Sequence, residues 1–353
     1  MSKFNTLKVK DIRRETPEAV SVAFEIPPVL QIAYQYKQGQ YITLKLNING
    51  EEVRRSYSIC TSPHCETELR VAIKEVKGGK VSGYINRALK VGDKVEVMTP
   101  MGGFYTPLNG GAKKKYVLFA GGSGITPMMS ILKSTLYIEK NSDITLIYAN
   151  KNEDSSIFKK ELEQIAASNP KLKLVFVYDS PQQKISDLQT GMVTAEKALE
   201  LIQNFGLNAD EYFICGPGPL MENVKSSLEK LNVAKEKIHI EYFTAVIDAV
   251  NKAESGGADV KSNITIIQYG IETQFDLNTS GQSILDAAIE AGVDAPFSCK
   301  GAVCCTCRAK IVEGKVKMDA NFALTDDEVE QGFILTCQSH PITDKVVVDY
   351  DAI

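Results

Sequence analysis

Histidine is scarce in this sequence: only His64, His239 and His340 occur, far apart along the chain. A histidine-rich metal site or a Ser-His-Asp triad therefore has little to stand on. A basic excess is also missing. Forty Lys and Arg against 44 Asp and Glu give a formal charge of -4, which disfavours nucleic acid or an anionic membrane as the main partner. The longest uncharged stretch, 116–132, contains Gly121-Gly122-Ser123-Gly124 and Pro127, so it reads as strand, loop and helix and not as a membrane span. The opening Met1-Ser2-Lys3-Phe4 lacks the basic segment and apolar run of a secretory signal, so a cytoplasmic location is expected. In that reducing setting the eight cysteines point to metal binding or redox work, not to disulfides.

A chain of 353 residues suggests two or three domains. Over 1–108, β-rich runs at 20–25, 41–48, 69–76 and 94–98 alternate with turn signals, the pattern of an antiparallel barrel. Over 109–243 the rhythm changes. Strand-like runs at 116–120, 144–149, 172–178 and 212–215 are each followed by a helix-length segment, as in a doubly wound parallel α/β sheet that binds a nucleotide. Residues 244–262, with Glu254-Ser255-Gly256-Gly257-Ala258-Asp259, read as a linker. A last domain over 263–353 restarts with a strand pair turning at Gly270, a helix capped by Ser283 and a final strand at 345–350.

The strongest local signal is Cys299, Cys304 and Cys307 with Cys337 after a long gap, the spacing C-x4-C-x2-C...C of a plant-type 2Fe-2S site. Structural zinc is the rival, but its ligands usually come as two close pairs in sequence, whereas three of these share one loop. Cys305 is extra to the ligand set, and Cys60 and Cys65 are read as small packing residues. The stretch from Cys299 to Cys307, with Leu335-Thr336-Cys337-Gln338, resembles plant-type ferredoxins. The resemblance implies an α+β, β-grasp domain that holds its cluster near the surface.

Arg55-Ser56-Tyr57-Ser58 resembles the R-x-Y-S flavin motif of the ferredoxin-NADP reductase superfamily. By that resemblance Arg55 faces the FAD pyrophosphate, Tyr57 packs on the flavin and Ser58 hydrogen-bonds its ring. Gly78-Gly79-Lys80-Val81-Ser82 opens a short helix and resembles the second flavin-phosphate contact, which assigns Gly79, Val81 and Ser82. Gly121, Gly122, Gly124, Thr126 and Pro127 follow a strand and open a helix, the context of a dinucleotide phosphate loop. Pro127 replaces the third glycine, as in this superfamily. Cys215-Gly216-Pro217 resembles its C-G-P segment, where the Cys and Gly lie beside the nicotinamide. Ser58 and Cys215 are thus the expected catalytic pair. Phe243 resembles an aromatic that covers the flavin face, with core packing an equal rival.

A nicotinamide gives two electrons together and a 2Fe-2S cluster takes one, so a flavin between them is the needed converter. The order flavin, nicotinamide, ferredoxin resembles reductase components of bacterial oxygenases, most nearly those serving phenylacetyl-CoA epoxidase, a diiron enzyme. The implied partner is that oxygenase component. Reductases of Rieske dioxygenases and steroid hydroxylases share many of the motifs, and a general ferredoxin or flavodoxin reductase or a redox sensor are the other readings. For NADPH against NADH, Lys151 suits a 2'-phosphate and Glu153 a free ribose hydroxyl, with the phosphate slightly preferred.

Overall fold

A computed structural model describes residues 4–243 and 261–352. The chain divides into two bodies, one spanning 4–243 and one holding the C-terminal residues.

The first body opens with six antiparallel strands in the order Glu51–Ser58, Tyr41–Ile48, Lys94–Met98, Phe4–Thr16, Ala19–Glu25 and Leu69–Lys74. An antiparallel bridge from Ile59 to Val71 joins the two outer strands and closes the barrel. Closure removes the open edges. Strand Ala19–Glu25 is buried on both faces because its alternating side chains serve two cores. Val20, Val22 and Phe24 fill the barrel, whereas Ala19 joins the core of the following half.

That half carries five parallel strands in the order Ile238–Glu241, Glu211–Cys215, Lys115–Gly121, Asp143–Asn150 and Leu172–Tyr178. Helix Ile125–Ile138 supplies Met128, Met129 and Leu132 to one face of the sheet, and helices Ala195–Phe205 and Gly218–Lys230 cover the other. The chain leaves Lys115–Gly121 in one direction and later returns on its other side, so the topological switch lies between this strand and Glu211–Cys215. In such sheets the crevice at the carboxyl ends of the switch strands is the binding position. Phe104 from the barrel half meets Phe213 edge-on, with centroids 5.3 Å apart, inside this shared core.

The second body has a five-stranded sheet in the order Ile271–Asn278, Lys261–Gln268, Lys345–Asp349, Arg308–Glu313 and Phe333–Leu335. Lys261–Gln268 and Lys345–Asp349 run parallel, and the other pairs are antiparallel. Tyr269 and Gly270 both have positive φ, as a two-residue hairpin with right-handed twist demands. Helix Ile284–Glu290 starts where Ser283 Oγ accepts the Asp286 N–H, and it buries Ile284, Leu285 and Ala288.

Several local readings differ in detail from what is observed. Strand Leu69–Lys74 stops before residue 76, because the chain turns through Val76 and Gly79 into helix Lys80–Arg87. After Leu172–Tyr178 no helix follows directly; Ser180-Pro181 turns the chain and the helix waits until Ala195. The expected linker falls mostly on 244–260, which lie outside the described residues, and strand Lys261–Gln268 is already under way at its end.

Candidate functional site

At the switch, two loops press backbone on backbone. A Cβ on Gly124 would stand 2.1 Å from the Cys215 carbonyl oxygen, and one on Gly216 would stand 2.9 Å from Gly121 Cα. Only glycine lets the 121–127 loop and the 215–217 turn approach so closely. Tyr148 donates its hydroxyl to the Gly122 carbonyl at 3.0 Å, and Thr126 Oγ1 donates to the Ser123 carbonyl at 3.0 Å. These bonds hold the loop at the start of helix Ile125–Ile138. Pro127 sits in the first turn, where N–H groups have no helical partner and a missing one costs nothing. The remaining free N–H groups suit an anion.

Cys215 ends its strand fully buried and lies in register with Glu241 on the neighbouring strand. Glu241 reaches the barrel half: Ser58 Oγ donates to its Oε2 at 3.1 Å. Ser58, Cys215 and Glu241 therefore form one cluster, although they are drawn from strands far apart in sequence. Burial pushes the Glu241 carboxyl up to about 8, against the opposing hydrogen bond from Ser58. Burial, and then the nearby Glu241, push the Cys215 thiol well above its ordinary range. Near neutral pH all three groups carry their protons. The expected pair is thus brought together, with Glu241 as a third member that the sequence did not single out.

On strand Glu51–Ser58, alternation sends Tyr57 toward the barrel core and Ser58 toward Glu241. Arg55 is exposed, its guanidinium donating to the Arg54 carbonyl at 2.7 Å. Helix Lys80–Arg87 packs beside this strand, with Lys80 paired to Glu51 at 2.6 Å. Gly79 is its N-cap, and Ser82 Oγ accepts the Val76 N–H at 3.0 Å, tying the first turn into a loop. A Cβ at Gly79 would lie 2.5 Å from that Oγ, so the cradle needs glycine. Val81 and Ser82 are buried and Phe243 is exposed. Lys151 is exposed just past the end of strand Asp143–Asn150, whereas the Glu153 carboxylate accepts the Gln182 N–H at 2.9 Å.

In the second body, Cys299 and Cys304 have Sγ atoms 3.1 Å apart, and Cys307 and Cys337 form a second hydrogen-bonded pair. Among the described residues no three acidic, His or Cys side chains converge as one metal ion requires. Two thiol pairs are instead what a cluster with two irons needs, so the donor set fits 2Fe-2S. Lys300 and Ala302 both take positive φ, which curls the loop and aims N–H groups inward. Gly301 N–H donates to Cys299 Sγ at 3.3 Å, and the Ala302 N–H serves Cys337. The hydrogen bond from Cys304, followed by backbone donors, holds the Cys299 thiol below its usual range. Cys305 turns away and donates to the Ala323 carbonyl at 3.2 Å. Cys60 is buried as a packing residue should be, but Cys65 is exposed, because its loop turns it outward.

Three family models match in chain order: an oxidoreductase FAD-binding domain over 6–105, an oxidoreductase NAD-binding domain over 118–226 and a 2Fe-2S iron-sulfur cluster binding domain over 266–341. Along its full length the chain is 39% identical to one of the subunits of 1,2-phenylacetyl-CoA epoxidase from Escherichia coli, covering 99% of that protein. The chain belongs to the flavin reductases with a fused 2Fe-2S domain. These reductases also include the ferredoxin reductase component of 3-ketosteroid-9-alpha-monooxygenase from Mycobacterium tuberculosis, 32% identical over 98% of this chain and 95% of that one. Phthalate dioxygenase reductase, at 23% identity, shares the fold with a TM-score of 0.60 over 98% of both chains. This flavin reductase is an oxidoreductase with domains for FAD, NAD and a 2Fe-2S cluster. No helix of the described residues is long and apolar enough to cross a membrane.

Proposed function

We propose that this reductase takes a hydride from NADPH or NADH and delivers electrons through FAD and a 2Fe-2S cluster to an oxygenase component. The partner is a diiron enzyme of the phenylacetyl-CoA epoxidase type, a cytoplasmic enzyme of phenylacetate breakdown. The observation that carries this reading is end-to-end similarity, at 39% identity, to a polypeptide that bears that enzyme's name.

FAD, when bound, would supply the conversion of a hydride into single electrons, and a 2Fe-2S cluster held by the four cysteines would supply one-electron transfer. The chain's own residues supply position and proton control. Arg55 offers a fork of N–H donors to the pyrophosphate, and the first turn at Gly79, Val81 and Ser82 offers free backbone N–H groups. Tyr57 would pack on the flavin, and Phe243 would cover a flavin face. Gly121, Gly122, Gly124, Thr126 and Pro127 hold the nicotinamide phosphates, while Lys151 meets a 2'-phosphate. Cys215 and Gly216 set the nicotinamide beside the flavin. Ser58 stands next to the Glu241 carboxyl, which holds its proton at neutral pH and so places no charge near the flavin. Cys299, Cys304, Cys307 and Cys337 ligate the two irons.

The test is coupled turnover: NADPH or NADH consumption and product formation with a purified phenylacetyl-CoA epoxidase, against a Rieske-type oxygenase in parallel. Product with the epoxidase supports the assignment. Product only with the Rieske enzyme moves the chain to the steroid-hydroxylase reading, which a relative at 32% identity also favours.

A further inference from the structure

Helix Ile125–Ile138 begins at the 121–127 loop and presents Ser130, Lys133 and Ser134 on one face, spaced i, i+3 and i+4. All three meet the segment that leaves strand Glu51–Ser58. Ser130 Oγ donates to the Thr61 carbonyl at 2.6 Å, and Ser134 Oγ shares a hydrogen bond of 2.8 Å with Ser62 Oγ. Lys133 Nζ lies 3.0 Å from Glu66 Oε1 and 2.8 Å from Glu161 Oε1, with only 12% of its side chain exposed. One ammonium thus joins the barrel half, the central helix and helix Lys159–Ser168. At one end of this joint stands the strand that carries Arg55, Tyr57 and Ser58, and at the other the glycine loop.

We propose that Lys133 is a positioning residue for hydride transfer: it neutralises Glu66 and Glu161 and thereby fixes the nicotinamide half against the flavin half. This rests on the reading that nicotinamide and flavin meet at the Ser58 and Cys215 cleft.

The surroundings make the ammonium irreplaceable by a neutral group. Glu66 and Glu161 face it directly, and Glu15, Glu68, Arg13 and Arg70 line the cavity beside it. Arg70 is already committed to Asp11 at 2.5 Å and Glu68 at 2.9 Å, and Arg13 to Asp11 at 2.8 Å. Burial pushes the Cys60 thiol up to about 12, so it stays neutral and offers no compensation. Without Lys133, carboxylates from two elements confront one another with no cation to spare. A half-buried pair stripped of one partner leaves an uncompensated charge. The serine bonds remain and keep the halves joined, so the expected lesion is a shift in spacing, not unfolding. Displacements of about 1 Å in a reacting pair lower rates by roughly 100-fold.

The experiment is anaerobic stopped-flow reduction of the bound flavin by NADPH and by NADH. The proteins are the full-length holoprotein and its K133Q, K133R and E66Q/K133Q variants. Flavin content and the long-wavelength absorbance of the nicotinamide-flavin complex are read alongside. At pH 8, K133Q is expected to retain flavin yet reduce it about 10- to 100-fold more slowly, with a weakened long-wavelength band and little change in apparent nicotinamide affinity. Two features separate positioning from mere packing. K133R restores the rate to within about threefold, and E66Q/K133Q is faster than K133Q. Wild-type rates for K133Q overturn the inference, as does a defect that neither arginine nor the second substitution relieves. Should K133Q fail to fold, E66Q alone takes its place, with a several-fold slowing expected and an unchanged rate refuting the role. If the wild-type flavin is reduced by neither nicotinamide, the underlying reading of the cleft fails first, and that result is distinct from all of these.

Discussion

Replacing Glu241 by Gln tests the cleft most directly, because the substitution keeps the shape and a hydrogen-bonding oxygen for Ser58 but removes the titration. The carboxyl moves from 4.5 in the unfolded chain to about 8 in the folded one. That difference corresponds to roughly 5 kcal/mol of preference for the neutral form. Because the folded state binds the proton more tightly, wild-type stability must fall as pH rises from about 4.5 to about 8, and the loss is complete above that. Glu241 is half-buried, so water relaxing around the anion removes more than half of the effect and leaves about 2 kcal/mol. For a body of this size that is about 4–8 °C in Tm. Thermal melts of the flavin-loaded wild type and E241Q, at pH 6 and pH 9, give the comparison. The E241Q variant should melt higher than wild type at pH 9 by roughly half that interval more than at pH 6, because the rest of the loss falls below pH 6. A gap that stays constant across this range would falsify the buried-acid account of the cleft.

Other substitutions separate the remaining parts. Cys337→Ser should abolish iron retention and the visible absorbance of the cluster, while Cys305→Ser, whose sulfur donates to the Ala323 carbonyl, should keep both; iron assay and absorption spectra decide. Gly124→Ala drives a methyl into the Cys215 carbonyl and should cost about 2–3 kcal/mol, read as a lower urea midpoint, together with loss of nicotinamide binding. Lys151→Glu should raise the KM for NADPH about tenfold or more, equivalent to ~1.4 kcal/mol, and leave NADH nearly unchanged; equal changes for both reject the phosphate contact.

What the sequence reveals and what it hides follow from range. The four cysteines, the glycine loop at 121–127 and the Ser283 cap are local patterns whose backbone consequences lie within a few residues, so they are legible before any fold is known. The barrel and the parallel sheet follow from alternation and from the change of rhythm near residue 110. Glu241 is different. It becomes a partner of Ser58, 183 residues away, only because strand Ile238–Glu241 adds beside Glu211–Cys215 at the sheet edge. Four residues with no strong apolar pattern give no sign of that strand in advance. Lys133 and Glu66 are hidden for the same reason, since nothing in an amphipathic helix says which loop its polar residue will meet.

The two redox sites use opposite electrostatics, and the fold explains how one chain supports both. At the cleft, strands from two halves enclose buried Ser58 and Cys215 and half-buried Glu241 with few hydrogen-bond donors, so desolvation decides and the groups stay neutral. At the cysteine loop, thiol donation from Cys304 and Cys307, and then backbone N–H groups aimed by left-handed turns at Lys300 and Ala302, favour the anion at Cys299 and Cys337, while Cys304 and Cys307 themselves are held protonated. A neutral cleft suits a hydride, which crosses without first displacing a fixed counter-charge. A donor-rich loop suits thiolates that must remain ionised around iron. Desolvation requires interlocking strands and so appears only where two halves of the first body share a core, whereas donation needs only a curled loop. That contrast accounts for a proposed nicotinamide site assembled from distant segments and a proposed cluster site that rests chiefly on nine consecutive residues, with one distant cysteine completing the set.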